Sequence, residues 1–86
     1  MPTLTQILTQ QAEYTRRSGY RVEVNTSMPW VSIIDNGTDA TVWFMQGDDA
    51  QKYCDECEAT YNKVGDMSLE DVQHAYASQY IDSLEG

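Results

Sequence analysis

Three short runs of strand-forming residues follow one another with no helical pattern between them, and this constrains the fold more than any other feature. Tyr20-Arg21-Val22-Glu23-Val24-Asn25 alternates apolar and polar side chains. That period of two marks a strand buried on one face, with Tyr20, Val22 and Val24 inward. Thr26-Ser27-Met28-Pro29 breaks the pattern, and Trp30-Val31-Ser32-Ile33-Ile34, β-branched and aromatic, reads as a second strand. Asp35-Asn36-Gly37-Thr38 contains an Asn-Gly pair, a strong hairpin signal because both central residues of a type I′ turn need positive φ. Thr41-Val42-Trp43-Phe44-Met45 supplies a third strand. Connections this short join antiparallel neighbours, so the middle of the chain reads as a three-stranded meander.

Helical patterns flank the meander. Thr3 with Gln6 forms a capping box ahead of a helix over Leu4 to Arg17, where Leu4, Ile7, Leu8 and Gln11 follow helical spacing and Ala12 and Tyr14 extend the apolar side. Gly19 stands where a left-handed residue would end it. Asp48 with Gln51 reads as the start of a second helix, about Asp49 to Val64, with Ala50, Tyr53, Cys54, Cys57, Tyr61 and Val64 on one face. Gly65 is its stop, and Ser68 with Asp71 opens a third helix over Leu69 to about Leu84. Leu69, Val72, Tyr76 and Tyr80 form that helix's expected inner stripe, with Asp71, His74, Ser78, Asp82 and Glu85 outward. The expected architecture is α+β in the order α-β-β-β-α-α, with helices on one face of the sheet. At 86 residues the chain has room for one domain, spanning 1–86.

Charge limits the partners. Fourteen Asp and Glu face five Lys and Arg, a formal net charge of -9. Residues 1–34 hold three arginines against two glutamates, whereas residues 35–86 hold twelve acids against Lys52 and Lys63. Direct binding to nucleic acid or to an anionic membrane is disfavoured, because phosphate binding needs clustered Lys and Arg. Basic protein surfaces are the favoured partners. No apolar run approaches the ~20 residues of a membrane span, and Met1 to Leu8 carries neither a basic nor a long apolar segment. A cytoplasmic location is expected.

Chemical motifs are sparse. Cys54-Asp55-Glu56-Cys57 is a CxxC, yet its position inside a helix and its two carboxylates push the thiols away from reactivity. Structural zinc wants four ligands, and the chain offers two Cys and one His. The expectation is packed, reduced thiols, with no metal and no cofactor. His74 has no nucleophile paired with it by any motif and is expected at the surface. Asp48-Asp49 and Asp55-Glu56 lack the spacing of a calcium loop, and acids in a first helical turn are explained by the helix dipole. No glycine-rich phosphate loop or hydrolase signature occurs, so no catalytic residue is assigned and the chain reads as a non-enzyme. Trp30, Trp43 and Met45 are candidate apolar anchors on an open sheet face.

The acids carry the functional reading. Asp48, Asp49, Asp55, Glu56, Glu58, Asp71, Asp82 and Glu85 are expected on the solvent side of the last two helices. Helical carboxylates one turn apart are spaced about 5.4 Å along the axis, and DNA phosphates about 3.4 Å along a strand. These spacings are close enough for such an array to occupy grooves built for a phosphate backbone. In build, with Asp48-Asp49-Ala50, Cys54-Asp55-Glu56-Cys57-Glu58 and Ser68-Leu69-Glu70-Asp71-Val72 in its acidic half, the chain resembles the small acidic anti-CRISPR proteins of phages and mobile elements. Those proteins share no motif, so no residue role carries over. The resemblance implies an inhibitor that binds an RNA-guided surveillance complex in the host cytoplasm and blocks target-DNA recognition or nuclease recruitment, its acids either serving as a DNA mimic or only docking. Arg16, Arg17 and Arg21 depart from a purely acidic mimic and are candidates for salt bridges. Two other readings stay open: a metal or redox module on Cys54 and Cys57, and an accessory phage protein that dimerises through its aromatic face.

Overall fold

A computed structural model describes residues 2–85. The order is α1 (Leu4–Arg17), β1 (Tyr20–Asn25), β2 (Trp30–Asp35), β3 (Thr41–Gln46), α2 (Asp48–Val64) and α3 (Leu69–Glu85). The strands form one antiparallel sheet in the order β1-β2-β3.

The expected caps form at both flanking helices. At α1, Thr3 Oγ1 accepts from Gln6 N at 3.1 Å, and Thr3 N donates to Gln6 Oε1 at 2.9 Å. At α3, Ser68 Oγ accepts from Asp71 N at 3.1 Å. The start of α2 differs from expectation. Asp48 is its first helical residue, Gly47 occupies the cap without a side-chain bond, and Gln51 donates to Asp55 instead. Gly65 closes α2 in the left-handed conformation at φ 74°.

Register assigns each strand residue to a face. Val22 pairs with Ile33, which pairs with Trp43; Val24 pairs with Val31, which pairs with Met45. These residues face the helices and build the main core with Ala50, Tyr53, Cys57, Val72, Ala77 and Ile81. Arg21, Glu23, Trp30, Ser32, Ile34, Thr41 and Phe44 lie on the other face by the same register. The register shifts between Ile33 and Ile34, so Val42 is the extra residue of a bulge. The bulge sends Val42 and Trp43 both toward the core, where strict alternation would have separated them.

The Asn-Gly turn is not of type I′. Neither Asn36 nor Gly37 has positive φ, and Asp39 takes it instead at 57°. Asp35 organises this longer loop, its Oδ1 accepting from Gly37 N at 2.7 Å and Thr38 N at 3.3 Å.

α3 is the central helix. Ala77 and Ile81 pack in the sheet-side core, Tyr76 and Tyr80 stand against Tyr53 of α2, and Ala75 packs with Leu8 and Ala12 of α1. The buried line of α1 is Leu8, Ala12 and Thr15, whereas Leu4, Ile7 and Gln11 are exposed. A helix covered on several sides has no true outward face, and this corrects the expected placement of His74 and Ser78, which are both buried.

Candidate functional site

The outer surface of α2 is an acidic face. Gly47 starts the helix and Asp48 and Asp49 stand in its first turn, where carboxylates favour the positive end of the dipole. Ala50, Tyr53, Cys54 and Cys57 anchor the inner face. At about 100° per residue, Asp48 and Asp55 are directed away from those anchors, with Asp49 and Glu56 toward the β3 side and Glu58 on the opposite flank. All five are exposed. Three ion pairs occur among the described residues: Arg16–Asp71 at 2.7 Å, Arg21–Asp39 at 3.1 Å and Arg21–Glu23 at 3.8 Å. None involves α2. Lys52 and Lys63 share the acidic arc and are likewise outside those pairs, so the face is negative in balance rather than purely anionic.

The acids of α3 are differently placed. Asp71 pairs with Arg16, and Asp82 Oδ1 accepts from the Tyr14 hydroxyl at 2.7 Å. Both contacts reach α1, so these carboxylates help fasten α1 to α3. The Arg16 guanidinium holds the Asp71 carboxyl below its ordinary value. The Glu85 side chain lies outside the described residues. Of the expected array, the α2 portion stands open, whereas Asp71 and Asp82 belong to a helix–helix contact. Arg16 and Arg21 make the salt bridges expected of them.

Cys54 and Cys57 are free thiols in the core. Burial, then the neighbouring Asp55, raises the Cys54 thiol; burial, then Cys54 and Glu56, pushes Cys57 up to about 12. Thiolate chemistry needs the opposite shift. Among the described residues no group of three or more His, Cys, Asp and Glu is placed to hold a metal ion.

His74 is 4% exposed. Its Nδ1 lies 2.8 Å from the Glu70 carbonyl, and its Nε2 accepts from Val22 N at 3.4 Å. Its own carbonyl accepts from Thr15 Oγ1 at 2.8 Å. One residue thus connects α3 to β1 and α1. The signal for its burial was present in the small neighbours Ala75, Ala77 and Ser78, which allow a helix to approach closely.

The aromatic anchors divide between two faces. Trp43 and Met45 are half-buried against the helices, and the Trp43 ring lies tilted at 34° against Tyr80, centroids 5.0 Å apart. Trp30 stands on the helix-free face, 6.4 Å from Phe44. The open face is therefore a Trp30–Phe44 pair rather than a Trp–Met one. A cleft of about 670 Å³ separates β3 from α2 and the end of α3, with Trp43, Tyr80 and Tyr53 in its wall and Asp49 and Glu56 beside them. Burial, followed by Glu56 and Asp49, raises the Tyr80 hydroxyl, which places both carboxylates within electrostatic reach of it. The Trp43 Nε1–H is buried without a hydrogen-bond partner among the described residues.

Comparison with protein-family models, curated proteins and solved structures gives no match. Among the described residues no helix is long and apolar enough to cross a membrane.

Proposed function

We infer that this chain is a non-catalytic inhibitor that binds the basic surface of a host nucleic-acid-handling complex, a CRISPR–Cas surveillance complex, and blocks target-DNA recognition in the host cytoplasm. The observation that carries this reading is the outer face of α2. Its five exposed carboxylates make no ion pair among the described residues, while Arg16 and Arg21 are engaged elsewhere. Exposed, unpaired carboxylates keep their long-range field. They speed encounter with a cationic groove and compete there with phosphates for the same Lys and Arg. Inhibition by occupancy needs no chemistry from the inhibitor, and buried thiols with raised pKa values supply none.

The test is target-DNA binding by a panel of purified surveillance complexes, titrated with this protein. Inhibition saturating at stoichiometric protein supports the reading. Reversing Asp48, Asp55 and Glu58 to Lys should abolish it while the helical circular-dichroism spectrum is unchanged. Absence of inhibition across the panel, inhibition at catalytic amounts, or full potency of the reversed variant contradicts it.

A further inference from the structure

Apart from a bulge at its start, the β3 edge lacks the devices that keep sheet edges from pairing. An edge strand presents unpaired backbone N–H and C=O groups, and proteins guard it with charge, proline or cover. β1, at the opposite edge, carries Arg21 and Glu23. β3 reads Thr41-Val42-Trp43-Phe44-Met45-Gln46, without charge or proline. Its bulge sits at the start, and Trp43 to Gln46 continue in regular register with β2. Both of its faces are apolar, with Trp43 and Met45 on the helix side and Phe44, 53% exposed, on the other.

Beside this strand lies the cleft described above. Its wall is a run of rings, Trp43 on Tyr80 at 5.0 Å and Tyr80 near Tyr53 at 6.1 Å. Asp49 and Glu56 outnumber Lys52, the one cation along the cleft. A cationic side chain entering here meets aromatic faces and carboxylates together, a combination that attracts ammonium and guanidinium groups.

A second copy of the chain and a foreign segment would both satisfy a bare edge. A β3–β3 dimer brings the two α2 helices alongside on one side of a continuous sheet. The Asp49 and Glu56 of each copy then approach those of the other, on chains with a net charge of -9 each. Like charges so placed oppose association. A basic segment meets the same groups with opposite charge. We propose that β3 takes an extended lysine- or arginine-bearing segment of a partner protein as a fourth strand, with cationic side chains seated against Asp49 and Glu56 over Trp43 and Tyr80. This rests on the cationic partner inferred above but places a separate contact on the sheet edge. Strand addition gives affinity through main-chain bonds and specificity through alternate side chains.

The probe is a capped peptide of about ten residues alternating Arg with Val and Thr, long enough to pair along a strand. The readout is amide and indole chemical shifts of the isotope-labelled protein. Binding should shift the Thr41–Gln46 amides and the Trp43 indole N–H, and slow hydrogen exchange at alternate β3 amides. N-methylation of alternate peptide amides should abolish it. Asp49→Asn with Glu56→Gln should weaken binding about fivefold or more, whereas Asp55→Asn with Glu58→Gln should leave it within about twofold. The proposal is overturned by the absence of shifts at millimolar peptide, by shifts confined to the outer face of α2, or by undiminished binding of the N-methylated peptide. A concentration-dependent dimer that protects β3 amides without peptide also overturns it. Surveillance-complex inhibition and peptide binding are read separately, so either can fail while the other stands.

Discussion

His74 joins three elements through its ring and its carbonyl. The Val22 amide donates to its Nε2, its Nδ1 faces the Glu70 carbonyl, and Thr15 donates to its main chain. Truncation leaves the Val22 N–H without that acceptor, and a buried orphan of this kind costs about 1–3 kcal/mol. His74→Ala should lower the urea midpoint accordingly, and a change within about 0.5 kcal/mol would show that another acceptor takes over. The Arg16–Asp71 pair is a weaker contact, because both side chains are 40% exposed or more. Its worth should stay below about 1 kcal/mol. The sign of its pH dependence follows from the lowered Asp71 pKa. That stability is present above the unfolded carboxyl value of 3.8 and disappears as pH falls through the lower folded value. Urea midpoints of the wild type and Arg16→Ala should therefore differ slightly at neutral pH and converge in acid. The His74 contacts are not legible from spacing, and the sequence marks Arg16 for a salt bridge without its partner, because His74, Asp71 and Ser78 all read as polar positions on a helix. Their polar atoms are satisfied by backbone and by α1, and hydropathy cannot register that.

Among elements, the boundaries followed local chemistry and the sequence carried them. The Thr3–Gln6 box, the Ser68 cap and the left-handed Gly65 fall where the residue types demand. Alternation located β1, and β-branched content located β2 and β3. What failed was chemistry that depends on neighbours. The Asn36-Gly37 signal yielded to the Asp35 side chain, which caps a longer loop, and the bulge at Val42 moved a residue across the sheet. Gly47 marks a junction the spacing of Asp48 and Gln51 obscured. It adopts φ 65° and ψ -136° between β3 and α2, and no atom stands within 4 Å of where a Cβ would sit. The strain of any L-residue there is therefore backbone strain, of order 1–3 kcal/mol. Gly47→Ala should lower stability by that amount in denaturant unfolding. An unchanged midpoint would mean that the strand–helix junction relaxes freely.

At the scale of the whole molecule, charge and fold are partly separated. Two of the three arginines, Arg16 and Arg21, are held by Asp71, Asp39 and Glu23, and α2 turns its carboxylates outward over a core of Tyr53, Cys54 and Cys57. The sequence made the acidic half visible and the α2 face derivable from a 100° period. It did not show that α1 covers α3, because α1 and α3 are separated by more than fifty residues and their small contact residues carry no periodic signal. The consequence is a shift of the candidate surface from two helices to one. The most direct test is the association rate with the target complex as a function of ionic strength, compared between the wild type and the Asp48→Lys, Asp55→Lys, Glu58→Lys variant. The wild-type rate should fall about tenfold or more from low to physiological salt, and the variant should bind slowly with little salt dependence. Equal rates for the two proteins, or a wild-type rate indifferent to salt, would contradict an acidic docking face on α2.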